Sequence, residues 1–425
     1  MVANSTSAAR APKRPNRRGC IRGEFVSCLR RMLMTSRYDV AVVGLGAMGS
    51  AAAWHLARRG QRVIGFDRFR PPHVFGSTHG DSRGIREAYT EGPSYVPFVR
   101  RAYELWDELS DAVGQPIFMQ TGALSLGPEG NDLVQGVVDS AREHDIAVEQ
   151  MDAAELRRRY PGIHVTDDLV GVLEQRAGML DIDTALNGQL DQAAAHGADL
   201  HFDEPVDRWL PIEMDDLESP VRIQTARGTY EAERMVVTSG AWNAGLLGKL
   251  NLPLNVTRQV MYWFEARANA DHFELGAIPF WMWQRSETDT GYGFPNVGKG
   301  FKLGLHQPLE SVDPSGYSRE ITETDERRVR EFLANTFPDV SGTLLRAETC
   351  LYTHTPDHHF LIDIHPKRPN IVVASPCSGH GFKFAPAIGE ALADLSMHRR
   401  TEHNLGLFRI DRMVEPLQAQ SAAGD

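Results

Sequence analysis

The chain of 425 residues has no run of 18 apolar residues, so an ordinary membrane-spanning helix is not expected. Cysteine is scarce. Cys20, Cys28, Cys350 and Cys377 are the four, too few for a disulfide framework and in keeping with a reducing, cytoplasmic compartment. No internal repeat or long low-complexity segment is visible. His354, Asp357, His358 and His359 cluster, but adjacent histidines on a strand point to opposite faces, and no helical His-x-x-x-His pair with a third ligand accompanies them. A metal centre is not expected. Acids are nearly missing from residues 1–37, which hold nine Lys/Arg and one Glu for a net +8; the remainder carries 36 basic against 55 acidic residues, net −19. An acidic body repels nucleic acid, so neither nucleic acid nor membrane is expected as a partner. The basic tail lacks the apolar core of a secretory signal. Its composition suits a transit peptide, but a translation start at Met32 or Met34 is the favoured reading. Residues 1–37 and 413–425 are expected to be disordered.

What is present is a glycine-rich turn in a specific setting. Tyr38 to Val43 reads as a short apolar strand. Gly44-Leu45-Gly46-Ala47-Met48-Gly49 follows, then an alanine-rich helix from Ser50 to Arg59 and a second strand from Arg62 to Phe66 that ends at Asp67. Strand, spaced glycines, helix, strand and acid together form a dinucleotide-binding fingerprint. Gly44 permits the tight turn, Gly46 lets the backbone approach a pyrophosphate at the helix N-terminus, and Gly49 allows close helix–strand packing. Asp67, 18 residues after Gly49, can accept a hydrogen bond from a ribose.

Further along, Gly76 to Arg83 reads as a polar loop. Helices are expected over 95–113, 131–144, 152–159, 182–195, 323–336 and 385–397. Strands are expected over 120–127, 146–149, 199–202, 221–225, 234–237, 260–265, 291–294, 301–305, 360–363 and 371–374. The pattern implies an α/β fold: a Rossmann-like domain made of 38–118, 181–252 and 349–412, with a β-rich substrate domain inserted as 119–180 and 253–348. A nucleotide domain that opens at the N-terminus and closes at the C-terminus is more usual for FAD than for NAD enzymes.

Several segments then point to one family. They are Gly44 to Gly49; Pro71-Pro72-His73; Gly76 to Arg86 with Tyr89 and Gly92; Tyr292-Gly293-Phe294-Pro295; Lys302-Leu303-Gly304-Leu305-His306; Cys350-Leu351-Tyr352-Thr353; His359 to Asp363; and Ser378-Gly379-His380-Gly381-Phe382-Lys383-Phe384. From about Tyr38 to Arg412 the chain resembles the monomeric sarcosine oxidase and N-methyltryptophan oxidase family of glycine-oxidase-like flavoproteins. The resemblance implies FAD attached covalently at Cys350. It also implies oxidation of an N-methyl amino acid by O₂ to formaldehyde, the primary amino acid and hydrogen peroxide, by a monomeric enzyme. It implies Arg86 and Lys383 as ligands of the substrate carboxylate, and physics agrees that desolvating an anion needs a cation. Lys302 would activate oxygen, since a fixed cation stabilises the anion formed when O₂ accepts an electron. His306 and Tyr352 would bracket the amine, and Arg83 would stand beside the flavin. Tyr292 and His79 take pocket or near-flavin positions, and Met48, Ser77, Gly379 and Gly381 join Gly44, Gly46, Gly49 and Asp67 around the cofactor.

The residues alone leave other readings open. Lys302 alternates with Phe301 and Leu303, so it shares a face with Gly304 and His306, and such a lysine is commonly on the wet side of a strand. Arg86 read as the start of a helix is a solvated charge. Cys377, ending an apolar strand, is expected to be structural. Trp281 and Trp283 could fill the pocket, stack on a larger substrate, or belong to the core. A cyclic imino acid such as pipecolate or proline is the alternative substrate. An NAD-dependent dehydrogenase and a non-enzymatic flavin-fold binder are more distant readings, the latter opposed by three cations as specific as Arg86, Lys302 and Lys383.

Overall fold

The computed structural model describes Met1, residues 37–306 and residues 310–413. Two edges of the tails expected to be disordered are ordered, since Arg37 opens the first strand opposite Glu231 and Met413 is buried; the rest of those expectations, with Cys20 and Cys28, lies outside the described residues. Among the described residues no helix is long and apolar enough to cross a membrane.

The first strand, Arg37–Val43, lies inside an eight-stranded sheet, parallel to Val63–Phe66 on one side and to Thr229–Val237 on the other. Asp199–His201 continues the parallel run beyond Val63–Phe66, and Ile371–Ser375 pairs in parallel with the end of Thr229–Val237. Residues 40–43 are apolar throughout because both faces of such a sheet are covered. The helix Ala47–Arg58 packs on one face with Ile182–Ala195 and Ala385–His398. Its alanine row is what allows this: a Cβ on Gly389 would stand 2.5 Å from the Cβ of Ala51, so the two helices meet backbone to backbone.

The second eight-stranded sheet runs, in order, Leu344–His354, Asn255–Phe264, Phe301–His306, Asp289–Phe294, Phe280–Ser286, Ala123–Pro128, Leu169–Glu174 and Val148–Met151. One face carries Trp281, Trp283, Phe301, Leu303 and Leu305 onto the helix Glu323–Thr336 and Phe337. Trp281 stacks on Phe332 and Phe301, and Trp283 meets Phe337 edge-on. Of the three readings open for the two tryptophans, core is the one found. The even-numbered neighbours Phe280, Met282 and Gln284 point the other way, into a cavity between the sheets.

Three expectations are corrected. The strand expected over 120–127 is two, Phe118–Gln120 and Ala123–Pro128, which join different sheets; Gly122, at φ +75°, breaks it. The polar loop before Arg86 ends in a strand, Ser82–Ile85, which pairs with Gly178–Asp181 in a small third sheet. Its mixed composition hid a strand whose partner is supplied from about a hundred residues away. The boundary drawn between 348 and 349 falls inside the strand Leu344–His354, so Cys350 and Tyr352 stand on the second sheet.

Candidate active site

A cavity of ≈ 790 Å³ runs from the glycine-rich turn to the open face of the second sheet. At its first end Gly44, Gly46, Ala47 and Met48 form part of the wall. The three glycines are needed for different reasons. A Cβ on Gly49 would lie 1.7 Å from the Gly44 carbonyl oxygen, and one on Gly44, at φ +93°, would lie 2.5 Å from that of Thr238. A Cβ on Gly46 would meet nothing closer than Thr78 Oγ1 at 3.5 Å, and would project into space a ligand can use. The helix Ala47–Arg58 has no cap from its N-cap side chain and no acid in its first turn, so its first-turn N–H groups beyond that of Ala47 are open to an anion. Thr78 also lines the cavity and accepts from Ala47 N at 3.3 Å, a neighbour the sequence reading passed over. Asp67 accepts from Leu45 N at 2.7 Å and Phe69 N at 2.9 Å, which fixes its carboxylate at the cavity wall with lone pairs to spare. These features fit the extended, doubly anionic pyrophosphate of FAD.

At the other end the wall includes Arg83, Arg86, Glu91, Tyr292, His306, Tyr352 and Lys383. Arg86 follows the strand Ser82–Ile85 rather than opening a helix, and is 4% exposed. Its Nη2 is 3.4 Å from Glu91 Oε2, its guanidinium lies 5.1 Å from the Tyr89 ring centre, and its Nε has no partner. Lys383 is 5% exposed and donates to the His380 carbonyl at 2.7 Å. Burial lowers this ammonium to about 7, aided by Arg86 and Arg83 and opposed by Glu91. Burial acts to raise the Glu91 carboxyl, but His380, Arg86 and Lys383 overcome it and hold the group at about 2. Glu91 went unnoticed in the sequence; its only signal was an acid lying between Tyr89 and Gly92 of a segment already singled out.

Tyr292, His306 and Tyr352 form a box on the open face of the sheet. The His306 ring is 4.8 Å from that of Tyr292 and 5.7 Å from that of Tyr352. Burial brings His306 down to about 4, so its imidazole is neutral at physiological pH. Gly379, at φ +83°, closes the box, because a Cβ there would stand 2.7 Å from the Tyr352 ring. Gly381 holds the next turn, where a Cβ would fall 1.6 Å from the Pro376 carbonyl oxygen.

Three expected site residues stand behind the wall. Lys302 is 2% exposed, so neither side of its strand is wet; Nζ donates to the carbonyls of Gly80 and Ser82 (2.7 Å to the latter) and lies 4.7 Å from the Phe294 ring centre. Burial pushes its ammonium far below the ordinary value. Cys350 is 1% exposed among Met261, Trp263 and Tyr352. Burial raises its thiol while Arg83 and Lys302 draw it back. His79 pairs with Glu348 at 3.2 Å. Ser77 and Arg83 do reach the wall; Ser77 donates to the Leu351 carbonyl at 2.5 Å, and Arg83 to that of Ser77 at 2.9 Å. Cys377, expected to be structural, also lines the cavity, and burial pushes its thiol to about 11.

Comparisons with known proteins give the family of the chain. A family profile described as FAD dependent oxidoreductase matches residues 39–395. Monomeric sarcosine oxidase of Streptomyces avermitilis is 39% identical over 385 residues, covering 90% of this chain and 99% of that protein. N-methyl-L-tryptophan oxidase of Salmonella heidelberg is 35% identical over 381 residues, covering 89% and 100%. Among solved structures, NikD, an unusual amino acid oxidase essential for nikkomycin biosynthesis, superposes in its open form with a TM-score of 0.78 at 25% identity, over 88% of this chain and 98% of that one. Glycine oxidase from Geobacillus kaustophilus, at 21% identity and a TM-score of 0.73 over 88% and 98%, shares the fold. The chain belongs to the FAD-dependent oxidoreductases, in the branch that holds monomeric sarcosine oxidase and N-methyl-L-tryptophan oxidase.

Proposed function

We propose that this protein is a flavoprotein oxidase, active as a monomer, that oxidises the N-methyl group of an N-methyl amino acid such as sarcosine. The amine, O₂ and water give formaldehyde, the primary amino acid and hydrogen peroxide. One observation carries the reading: two buried cations, Arg86 and Lys383, face a small aromatic box at the far end of a cavity that begins at the dinucleotide turn. Bound there, FAD would accept two electrons from the substrate and pass them to O₂. Gly44, Gly46, Met48 and Asp67 would hold its adenosine and pyrophosphate half, with Gly49 keeping the turn closed. Ser77, Arg83, Gly379 and Gly381 would surround the other half.

The chain's own residues do the rest. Arg86 and Lys383 bind the substrate carboxylate, and Arg86 exchanges its Glu91 partner for it. The same cations disfavour a protonated amine beside them, so the site selects the neutral amine from which oxidation starts. Tyr292, His306 and Tyr352 enclose that amine and exclude water, and neutral His306 adds no competing charge. Lys302, fixed behind the wall, would place a positive charge close to where O₂ becomes an anion: burial pushes its ammonium down, but the Gly80 and Ser82 oxygens to which Nζ donates, and the developing anion itself, favour the charged form. A peroxide assay across sarcosine, N-methyltryptophan, pipecolate, proline and glycine tests the reading. Sarcosine or another N-methyl amino acid is expected to give the highest kcat/KM. Turnover confined to pipecolate or proline would replace it with the cyclic imino acid reading.

Covalent attachment at Cys350 belongs to the same proposal. It is supported by the resemblance and by the two cations, Arg83 and Lys302, which favour a thiolate there. Acid-precipitated protein is expected to stay yellow, and Cys350→Ser protein to release its FAD on the same treatment. Release from the unsubstituted protein, or retention lost only in Cys377→Ser, would remove Cys350 from this role.

A further inference from the structure

Tyr89 carries a hydroxyl into the core that the reaction as outlined does not use. The residue is 0% exposed, ringed by Tyr95 and Phe384. Its oxygen lies 2.6 Å from His380 Nδ1 and accepts from Lys383 Nζ at 3.3 Å. The polarity of this chain follows from its far end. His380 Nε2 is 3.1 Å from the carbonyl oxygen of His358, which can only accept, so Nε2 carries the hydrogen. In the neutral imidazole Nδ1 is then a bare acceptor, and Tyr89 must donate to it. With its one proton committed, the phenol can offer Lys383 only a lone pair. The ring of His380 is itself fixed, stacked 4.7 Å from Phe360. Lys383 is anchored at its main chain, where Trp106 Nε1 donates to its carbonyl at 2.8 Å.

We propose that Tyr89 and His380 are positioning residues for recognition of the substrate carboxylate: a hydrogen-bond chain of fixed polarity, Lys383 to Tyr89 to His380, holds the Lys383 ammonium aimed and charged. The inference rests on Lys383 being the carboxylate anchor. An acceptor favours the charged form of an amine, and here it opposes burial. The other groups facing Lys383 are Arg83 and Arg86 with the strand Ser82–Ile85, Glu91 in the following loop, and His306 on the second sheet. Of these only Glu91 favours its charge. Tyr89 therefore adds support without adding a second anion that would compete for Arg86. Carboxylate affinity is full while Lys383 is protonated and falls as pH rises through its titration, so losing the Tyr89 acceptor should move that fall to lower pH.

The test is calorimetric titration of the FAD-loaded enzyme with acetate across pH, with acetamide as the uncharged control. Tyr89→Phe is expected to keep acetate affinity within about twofold on the acid side and to lose roughly five- to tenfold at about pH 8, as a midpoint lowered by up to about one unit requires. His380→Phe should shift the midpoint the same way, since Tyr89 can then turn its proton to the His380 carbonyl 3.5 Å away and crowd Lys383. The double variant should lose no more than Tyr89→Phe alone, because Glu91, held at about 2, stays ionised across the titrated range whether or not His380 is present, and the other route from the His380 ring to Lys383 runs through Tyr89. An unmoved midpoint in Tyr89→Phe, or additive losses in the double variant, would overturn the proposal. Lys383→Met separates the two readings. If it leaves acetate binding and its pH dependence intact, the anchor itself is misassigned.

Discussion

Lys302→Met should slow reaction of the substrate-reduced enzyme with O₂ by about two orders of magnitude, while reduction by the amino acid changes by no more than a few-fold. Lys302 lies behind the cavity wall, so in the proposed oxygen step it would act as a fixed charge rather than by contact. A unit charge acting over about 6 Å at an effective dielectric of about 20 is worth roughly 3 kcal/mol, or on the order of a hundredfold in rate. The charge costs nothing to orient at the moment of reaction, because the Gly80 and Ser82 carbonyls already hold it. Those carbonyls converge because Gly80 and Asp81 both have left-handed backbone, at φ +93° and +67°. Asp81 is clamped in turn by Lys299 and Arg346. Methionine keeps the length of the side chain and deletes charge and donors, so some loss of stability accompanies it, about 1–3 kcal/mol for the stranded acceptors. Stopped-flow measurement of the two half-reactions separates the effects. Equal slowing of both would remove Lys302 from the oxygen step.

The second large effect sets two glycines of one turn against each other. Gly49→Ala places a methyl 1.7 Å from a main-chain oxygen that cannot move without shifting the first strand. Helix and strand must separate, and the sheet at whose centre they meet loses packing on a face that several helices share. A loss of more than about 3 kcal/mol is expected, enough to give little folded protein. Gly46→Ala meets no atom closer than 3.5 Å. That protein should fold with a melting temperature within about 2 °C of the parent when both are measured without FAD, yet hold FAD poorly, since the methyl occupies the approach of the pyrophosphate. Thermal denaturation of the apoproteins with FAD content after reconstitution checks both. A folded Gly49→Ala protein with normal Tm, or Gly46→Ala that retains FAD normally, would contradict the assignment.

Legibility differed along the chain for physical reasons. The helices 182–195 and 323–336 were found at the residues expected, because each opens on an N-cap (Asp181, and Thr322 in a capping box) and follows one apolar face. The strand Ser82–Ile85 was missed because pairing with Gly178–Asp181, not its own composition, makes it a strand. The tryptophans at 281 and 283 could not be placed from sequence because alternation tells which residues share a face but not which face is buried. Here the aromatic side of the sheet takes the helix Glu323–Thr336, and Phe280 and Met282 are left to the cavity.

The sequence by itself determined the dinucleotide turn, the family, and the residue types proposed for the site, because each is written in local spacing or in contiguous motifs. Tertiary structure alone decided how those residues divide between wall and backing. Lys302, Cys350 and His79 stand behind the cavity, Cys377 lines it, and Glu91 joins Arg86 and Lys383 at its end. The reason is that depth in a cavity and the sign of a local field are sums over segments hundreds of residues apart. No window of the chain contains Tyr89 and His380 together, yet their 2.6 Å contact exists only once the first and last parts of the molecule meet.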